Sequence, residues 1–351
     1  MRVFSCQNCG QLLHFENTLC LQCHSELGFV PGLLTLSTLA KNDDGTLTAA
    51  VQRDRSMKRC ANYSKIACNW LVSADSETDF CLACDLNRTI PDLDISGNLK
   101  KWNEIEAAKR RVVYTLRRLG LKTGPPPGED DNPGLQFDFL ADEPGEPVTT
   151  GHFNGLVTIN IAEADSAERE RRRQELGELY RTMLGHMRHE VGHYYWDLLV
   201  RNGDRIEKCR AVFGDESQSY GAALKRHYAK GPPDNWQEEY VSAYATMHPW
   251  EDFAETWSHY LHMVDTLDTA ASFGMIVDPL VSNDIKFNAK IEFDPYGTAR
   301  FFDLIRAWIP MTVAMNSLNR SMGQRDLYPF ALSNAAIRKL CFIHDLVRGF
   351  V

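Results

Sequence analysis

In the stretch His189-Glu190-Val191-Gly192-His193, two histidines stand four residues apart, with a glutamate directly after the first. Residues four apart share one face of an α-helix, so both imidazoles can bind one metal ion while Glu190 points at the water bound there. The alternative is a coincidental match on an ordinary amphipathic helix. The residues between and just after the histidines are uncharged, as expected where a ligand helix is buried behind its metal. The stretch therefore predicts a metal-binding helix.

A second stretch, from Tyr244 to Trp257, supplies a candidate third ligand. Pro249 suits the first turn of a new helix, and Glu251 and Glu255 would then lie one turn apart on one face. Two carboxylates at this spacing repel mildly on an isolated helix. Beside a dication, one can bind the metal and the other can accept a hydrogen bond from a ligating histidine. A solvated acidic helix start is the alternative, but the aromatic residues around the two acids indicate burial.

The cysteines form two sets at spacings typical of zinc sites. A Cys-x-x-Cys pair places two sulfurs on one tight turn, and two such pairs complete a tetrahedron around zinc. The second set has only one such pair, and its other two cysteines are more widely spaced. The sequence predicts two structural zinc ions, one on Cys6, Cys9, Cys20 and Cys23 and one on Cys60, Cys68, Cys81 and Cys84.

The composition is that of an ordinary globular protein. Of the 351 residues, 44% are hydrophobic and 24% are charged. The net charge of -9 and the pI near 5.7 disfavour general nucleic-acid binding, which needs clustered Lys and Arg to displace counterions from phosphates. No apolar run approaches the length of a membrane span, and the start of the chain lacks the apolar core of a signal peptide. We therefore expect a cytoplasmic protein that binds neither membranes nor nucleic acid.

Secondary-structure patterns surround the metal-binding stretch. Apolar residues at helical spacing predict a helix over 99–119, and a loop rich in Pro and Gly follows at 123–131. Two runs rich in β-branched and aromatic residues predict strands at 135–140 and 156–161. The charged run at 168–175 is most simply a solvated helix that leads towards the metal-binding stretch.

The two metal-binding stretches resemble those of the gluzincin metallopeptidases, in which two histidines of His-Glu-x-x-His and a downstream glutamate bind zinc. The segment from Tyr244 to Glu255 is similar to the corresponding segment of the anthrax lethal factor, with a tyrosine seven residues before the ligand glutamate. With its cysteine-rich start and the segment 319–323, the chain resembles, over nearly its full length, a bacterial family of zinc-binding metallopeptidases that carry zinc ribbons.

This resemblance implies an α+β fold. A mainly helical, zincin-like metallopeptidase domain with a small sheet is expected at 96–351, after a zinc ribbon at 1–35 and a second cysteine-rich zinc-binding module at 36–95. One catalytic zinc on His189, His193 and Glu251 is expected in addition to the two structural zinc ions.

The resemblance also implies a reaction, the hydrolysis of a peptide or isopeptide bond by water that zinc has activated. Glu190 would take the proton from this water and pass it to the leaving amine. Tyr244 would donate a hydrogen bond to the developing oxyanion. Glu255 would orient a ligating histidine by accepting a hydrogen bond from it. Weaker candidates for the same neighbourhood are His248, Tyr260, Arg320 and Tyr328.

Two other functions remain open at the level of the sequence. In one, the protein is a non-catalytic adaptor whose ribbons bind a partner protein and whose zincin-like domain is a scaffold. A scaffold has no need of Glu190, which weighs against the adaptor. In the other, the ribbons recruit a protease to nucleic acid, and the acidic charge balance weighs against this. The expected partners are a protein or peptide substrate and a protein docked on the ribbons.

Overall fold

Both helices and strands form in the computed structural model, which describes residues 2–124, 134–143, 145–175, 179–297 and 300–351. In chain order the strands are β1 (Phe4–Ser5), β2 (Leu12–Leu13), β3 (Leu27–Val30), β4 (Thr35–Lys41), β5 (Leu47–Ala49), β6 (Gln52–Arg59), β7 (Leu71–Ser73), β8 (Asn87–Thr89), β9 (Gln136–Leu140), β10 (Gly151–Phe153), β11 (Leu156–Asn160), β12 (Ile276–Val277) and β13 (Ala289–Lys290). The helices are α1 (Tyr63–Ile66), α2 (Asn98–Arg118), α3 (Ser166–Glu175), α4 (Met183–Tyr195), α5 (Ile206–Phe213), α6 (Tyr220–Lys230), α7 (Pro249–Ser272), α8 (Phe301–Ser321) and α9 (Asn334–Arg348). These elements confirm the predicted α+β class.

The elements predicted from sequence patterns lie close to their expected bounds. The helix expected over 99–119 is α2, the strands expected at 135–140 and 156–161 are β9 and β11, and the charged run lies within α3. The expected loop at 123–131 enters the described chain only at Thr123 and Gly124, and the rest of it lies outside the described residues. None of the described helices is both long and apolar enough to cross a membrane.

The chain divides into two units. The first unit comprises Met1–Thr123, Leu135–Thr150 and Thr158–Ala164, and the second comprises Gly124–Gly134, Gly151–Val157 and Asp165–Val351. The predicted module boundaries after residues 35 and 95 stay predictions.

The first unit is built on antiparallel strands and one long helix. The strands β1 and β2 form a hairpin, and β3 to β7 form a five-stranded sheet in chain order. The core of this unit is aromatic: the rings of Phe29 and Trp70 lie 4.7 Å apart, and Tyr114 of α2 lies 6.0 Å from Phe29. Because all three side chains are fully buried, α2 shares one hydrophobic core with the cysteine-rich region.

A second sheet has the strand order β10-β11-β9-β8, in which β8 and β9 are parallel. The strand β10, at one edge of this sheet, packs against α4. Within the second unit, β10 is therefore next to the helix that carries His189 and His193.

The second unit is organised by the packing of α4 along α7. Gly192, between the two predicted histidine ligands, faces α7, and a Cβ atom there would lie 3.1 Å from both the Ala254 Cα atom and the Trp257 ring. Such a distance is tighter than ordinary van der Waals contact, so a larger residue would push the helices apart. The glycine of the metal-binding stretch thus allows the close helix approach that brings Glu251 to the histidines.

Buried ion pairs connect α7 to the helices α4 and α9. Arg188 of α4 pairs with Asp265 of α7 and also contacts the His262 Nδ1 atom at 2.6 Å. Lys339 of α9 pairs with Asp252 of α7 at 2.6 Å. Because loss of one partner would leave an uncompensated charge in the interior, these pairs fix the relative positions of the helices more than they add net stability.

Candidate functional site

The helix α4 presents two imidazoles to one point. It begins after Thr182, whose hydroxyl accepts a hydrogen bond from the Gly185 backbone N–H at 3.0 Å and so caps the helix. One turn apart on the buried face, His189 and His193 have their Nε2 atoms 3.2 Å apart. The helix thus aims two nitrogen ligands at the same place, as the four-residue spacing predicts.

The first turn of α7 brings a carboxylate to the same point. This helix begins at Pro249, and the His248 side chain caps it by accepting from the Trp250 backbone N–H. The Glu251 Oε2 atom lies 2.9 Å from the Nε2 atom of His189 and 3.4 Å from that of His193. All three residues are buried.

The distances among these three atoms fit a tetrahedral zinc site. Zinc binds imidazole nitrogen and carboxylate oxygen at about 2.0 to 2.2 Å, which places neighbouring ligand atoms of a tetrahedron about 3.4 Å apart. The observed separations of 2.9, 3.2 and 3.4 Å come close to this value. Two nitrogens and one oxygen are also the donor set of many catalytic zinc sites, in which a fourth position stays open for water or substrate.

Glu255 lies behind the ligands, one turn further along α7. Its Oε1 atom accepts a hydrogen bond from the His189 Nδ1 atom at 2.7 Å, and its Oε2 atom accepts from the Ser242 hydroxyl at 2.5 Å. With the ring proton on Nδ1, the lone pair of His189 Nε2 is directed at the metal position. Burial raises the pKa of Glu255, but the hydrogen bond from His189 outweighs this, and the pKa is lowered to about 2.

Glu190 is next to the ligands without being one of them. Its Oε1 atom lies 3.1 Å from the His186 Nε2 atom, one helical turn earlier. Although burial raises the pKa of Glu190, the hydrogen bond and charge of His186 outweigh this and the pKa is below its ordinary value. The structure thus holds a buried, ionised carboxylate beside the metal position.

Two tyrosines approach the same site from different elements. The Tyr244 ring lies 5.9 Å from the His189 ring, in a short helical turn at Tyr244–Thr246. Burial and the nearby Glu251 charge raise the pKa of Tyr244, so its hydroxyl stays protonated. Tyr220, at the start of α6, donates a hydrogen bond to the Glu251 Oε1 atom at 2.9 Å. Sequence reasoning missed Tyr220, because it belongs to no motif and lies far from Glu251 along the chain.

The ring of His193 is enclosed by aromatic side chains. Trp250 lies on one side with a ring-centroid distance of 3.7 Å, and His152 of β10 stacks at 6.2 Å. The His152 Nε2 atom accepts from the Gly155 backbone N–H at 3.0 Å. Burial lowers the pKa of His152 to about 4, so its ring is neutral at physiological pH. The sequence analysis did not include His152, because it belongs to no motif.

The weaker candidates have other contacts. His248 caps α7, and the Tyr260 hydroxyl contacts the His344 Nδ1 atom at 3.2 Å. The Tyr328 hydroxyl contacts the His259 Nδ1 atom at 2.7 Å. Arg320 forms a surface ion pair with Asp326. The contacts given for Tyr260 and Arg320 in the described part of the chain are with residues outside the metal-binding cluster, and a role for either residue at this site stays a prediction.

Both predicted cysteine sets converge as thiolate clusters. Zinc–sulfur bonds of about 2.3 Å place the sulfurs of a tetrahedron about 3.8 Å apart. In the first set the Cys6 and Cys23 sulfurs are 3.6 Å apart, as are those of Cys9 and Cys20. In the second set the Cys68 sulfur lies 3.6 Å from that of Cys81 and 3.7 Å from that of Cys84, and all four sulfurs lie within 4.8 Å of one another. Both sets therefore fit a four-cysteine zinc site, including the one with irregular spacing.

The second cysteine cluster lies against a buried charge pair of α2. Lys109 and Glu106 are fully buried, with 2.7 Å between their charged atoms. The Glu106 Oε2 atom lies 3.9 Å from the Cys84 sulfur, and Asn87 donates to Glu106 at 2.8 Å. The Lys109 ammonium is thus paired with the Glu106 carboxylate, and it is this carboxylate that contacts the Cys84 sulfur.

The protein families that match this chain are zinc-binding families, in agreement with the metal-binding clusters described above. A family profile described as "Putative zinc-binding metallo-peptidase" matches residues 98–346, which include every ligand of the histidine and glutamate cluster. The chain belongs to this family. A profile of a zinc-ribbon domain matches residues 3–95. This range includes both cysteine clusters of the family member.

Relatives of this family member align over almost its whole length. Uncharacterized proteins of Mycobacterium tuberculosis and Mycobacterium bovis are each 42% identical to it over 350 residues. These alignments cover 99% of this chain and 95% of each relative. No solved structure matches the chain, so the similarity to the anthrax lethal factor rests on sequence spacing alone.

We expect this metallopeptidase family member to bind about three zinc ions per chain, because three donor clusters occur in the described residues. Elemental analysis of the purified protein by mass spectrometry measures this number. A chelator should remove the ion of the histidine and glutamate cluster first, since three protein ligands leave that site open while four thiolates close the others. A zinc content near one per chain would show that at least one cysteine set holds no zinc.

Proposed function

We propose that this protein is a zinc-dependent metallopeptidase that hydrolyses peptide or isopeptide bonds with water. The observation that carries the proposal is the position of Glu190, a buried carboxylate that is next to His189 in the chain and is not one of the three converging ligand residues. A purely structural metal site has no use for such a group, whereas hydrolysis needs a proton acceptor there.

The ligand residues and their hydrogen-bond partners form the metal-binding part of the proposed machinery. A zinc ion held by His189, His193 and Glu251 would supply Lewis acidity, which lowers the pKa of water and polarises a carbonyl group. Glu255 keeps the proton of His189 on Nδ1 and so directs the lone pair of Nε2. Trp250 covers one face of the His193 ring and restricts its rotation.

Proton transfer falls to Glu190. Its carboxylate accepts a proton from the attacking water as the carbon–oxygen bond forms, and later gives this proton to the leaving amine as the carbon–nitrogen bond breaks. The products are one carboxylate and one amine. His186 holds the Glu190 carboxylate through its contact of 3.1 Å. Tyr244, whose hydroxyl stays protonated, donates a hydrogen bond to the oxyanion that develops on the scissile carbonyl.

The substrate in this proposal is a polypeptide, and the cysteine clusters dock a protein. The observation that supports a docking role is their place in the structure: both clusters lie in the first unit, whereas the ligands of the proposed catalytic zinc lie in the second. Removing a cysteine cluster should therefore impair recognition or folding without removing a catalytic ligand.

Incubating the zinc-loaded protein with a mixture of denatured proteins tests the activity. New amino termini, identified by mass spectrometry, should appear with wild type and disappear after chelation of the open site. A parallel incubation with peptides joined through a lysine side chain distinguishes isopeptide from peptide cleavage. Absence of new termini and of cleaved isopeptides from fully metal-loaded protein would contradict the proposal.

A further inference from the structure

The two oxygens of the Glu251 carboxylate have different neighbours. Its Oε2 atom faces the Nε2 atoms of His189 and His193, at 2.9 and 3.4 Å. Its Oε1 atom accepts a hydrogen bond from the Tyr220 hydroxyl at 2.9 Å. One oxygen is therefore directed at the metal position while the other is occupied by a tyrosine.

Contacts other than this hydrogen bond also place Tyr220. Ser219 caps α6 by accepting from the Ala222 backbone N–H, which fixes the start of the helix. The Tyr220 ring packs edge-on against His248 at 5.4 Å and Trp250 at 6.1 Å, residues on either side of Pro249 at the start of α7. The ring is thus held against the first turn of α7, and the hydroxyl reaches Glu251 from a fixed position.

We propose that Tyr220 is a positioning residue that keeps Glu251 a one-oxygen ligand. A carboxylate with two free oxygens can bind a metal through both, which raises the coordination number and uses the position that a catalytic zinc site keeps open. By occupying Oε1, the Tyr220 hydroxyl leaves only Oε2 for the metal and also restrains the carboxylate's rotation. Hydrogen-bond partners of metal ligands commonly set both ligand orientation and metal affinity.

This inference rests on the proposed function only in placing zinc on the His189, His193 and Glu251 cluster. It requires no knowledge of the substrate, because metal affinity and coordination are measured on the protein alone. A failure to detect peptide hydrolysis would leave it standing, and its own failure would leave the hydrolysis proposal standing.

Two other roles for Tyr220 lead to different results. If its hydroxyl donates to the oxyanion, loss of the hydroxyl lowers turnover and leaves metal binding unchanged. If the residue serves only in packing, a phenylalanine, which keeps the ring and its contacts with His248 and Trp250, changes neither property.

The test is the Tyr220→Phe variant of the full-length protein, with Tyr228→Phe as the matched control. Tyr228 is in the same helix and its side chain is 65% exposed. Zinc is removed from the open site by mild chelation while the cysteine clusters keep theirs, and the affinity for added zinc is measured by competition with a chromophoric chelator. We expect Tyr220→Phe to bind zinc at this site about 10- to 100-fold more weakly, and Tyr228→Phe to bind it like wild type.

Cobalt added to the emptied site gives a second readout. Four-coordinate cobalt absorbs visible light more strongly than cobalt with a higher coordination number, so the absorption should fall in Tyr220→Phe if Oε1 becomes a ligand. The zinc retained by the cysteine clusters reports whether the variant is folded. Zinc affinity and cobalt absorption equal to those of wild type in a folded Tyr220→Phe protein would overturn the proposal, whether or not turnover falls.

Discussion

Glu190→Gln should lower the rate of hydrolysis by about 10²- to 10⁴-fold while zinc content and fold stay as in wild type. The glutamine keeps the size of the side chain and an oxygen that can accept from His186, but it cannot take a proton from water. Glu190 supplies no atom to the cluster formed by His189, His193 and Glu251, so the metal should remain. Initial rates on a cleaved peptide, together with elemental analysis and circular dichroism, measure these three properties.

Glu207→Gln is a suitable control, because Glu207 is an exposed glutamate of α5 whose side chain is 86% accessible. Its rate should equal that of wild type. A Glu190→Gln rate within about tenfold of wild type would remove Glu190 as the general base. The same inactive variant should retain bound substrate, so proteins that co-purify with it and not with wild type are candidate substrates.

The parts of the site with a fixed local spacing were predictable from the sequence. The four-residue interval between His189 and His193 is a property of the helix itself. Pro249 marks the first helical turn, which gives the orientation of Glu251 relative to Glu255. The cysteine pairs likewise have a short-range geometry that needs little of the fold.

The parts that depend on tertiary packing were not predictable. Tyr220 reaches Glu251 only because α6 packs against the start of α7, and no spacing in the sequence records this. His152 reaches the site because β10 packs against α4. Tyr260 stands five residues after Glu255, which on a helix turns its side chain towards another face, and its hydroxyl contacts His344.

The five-stranded sheet of the first unit was also missed, and β6 shows why. A half-buried strand usually alternates apolar and polar residues, but β6 has the sequence Gln-Arg-Asp-Arg-Ser-Met-Lys-Arg, in which Met57 is the one apolar residue and four consecutive residues are exposed. Such a run is read most simply as a charged, solvated segment. It is a strand because β5 and β7 pair with it on either side, so its backbone partners decide its structure.

Exchanging the carboxylate of Glu251 or that of Glu255 for an amide should have unequal effects. Glu251→Gln should abolish zinc binding at the histidine cluster, because the Glu251 Oε2 atom supplies the third protein ligand and a neutral amide binds zinc far more weakly. Glu255→Gln should leave the ion in place but weaken its affinity or the hydrolysis rate by about 10- to 100-fold, since Glu255 contacts the outward nitrogen of His189.

Zinc content separates these two results without any substrate. We expect about two zinc ions per chain in Glu251→Gln, both on the cysteine clusters, and about three in Glu255→Gln when zinc is in excess. Both exchanges keep side-chain size and remove one negative charge from the same helix, so each variant controls for the other. If Glu255→Gln lost the ion and Glu251→Gln kept it, the ligand and its supporting carboxylate would be interchanged. The role proposed for Tyr220 would then fail as well, because its hydroxyl would contact a carboxylate that does not bind metal.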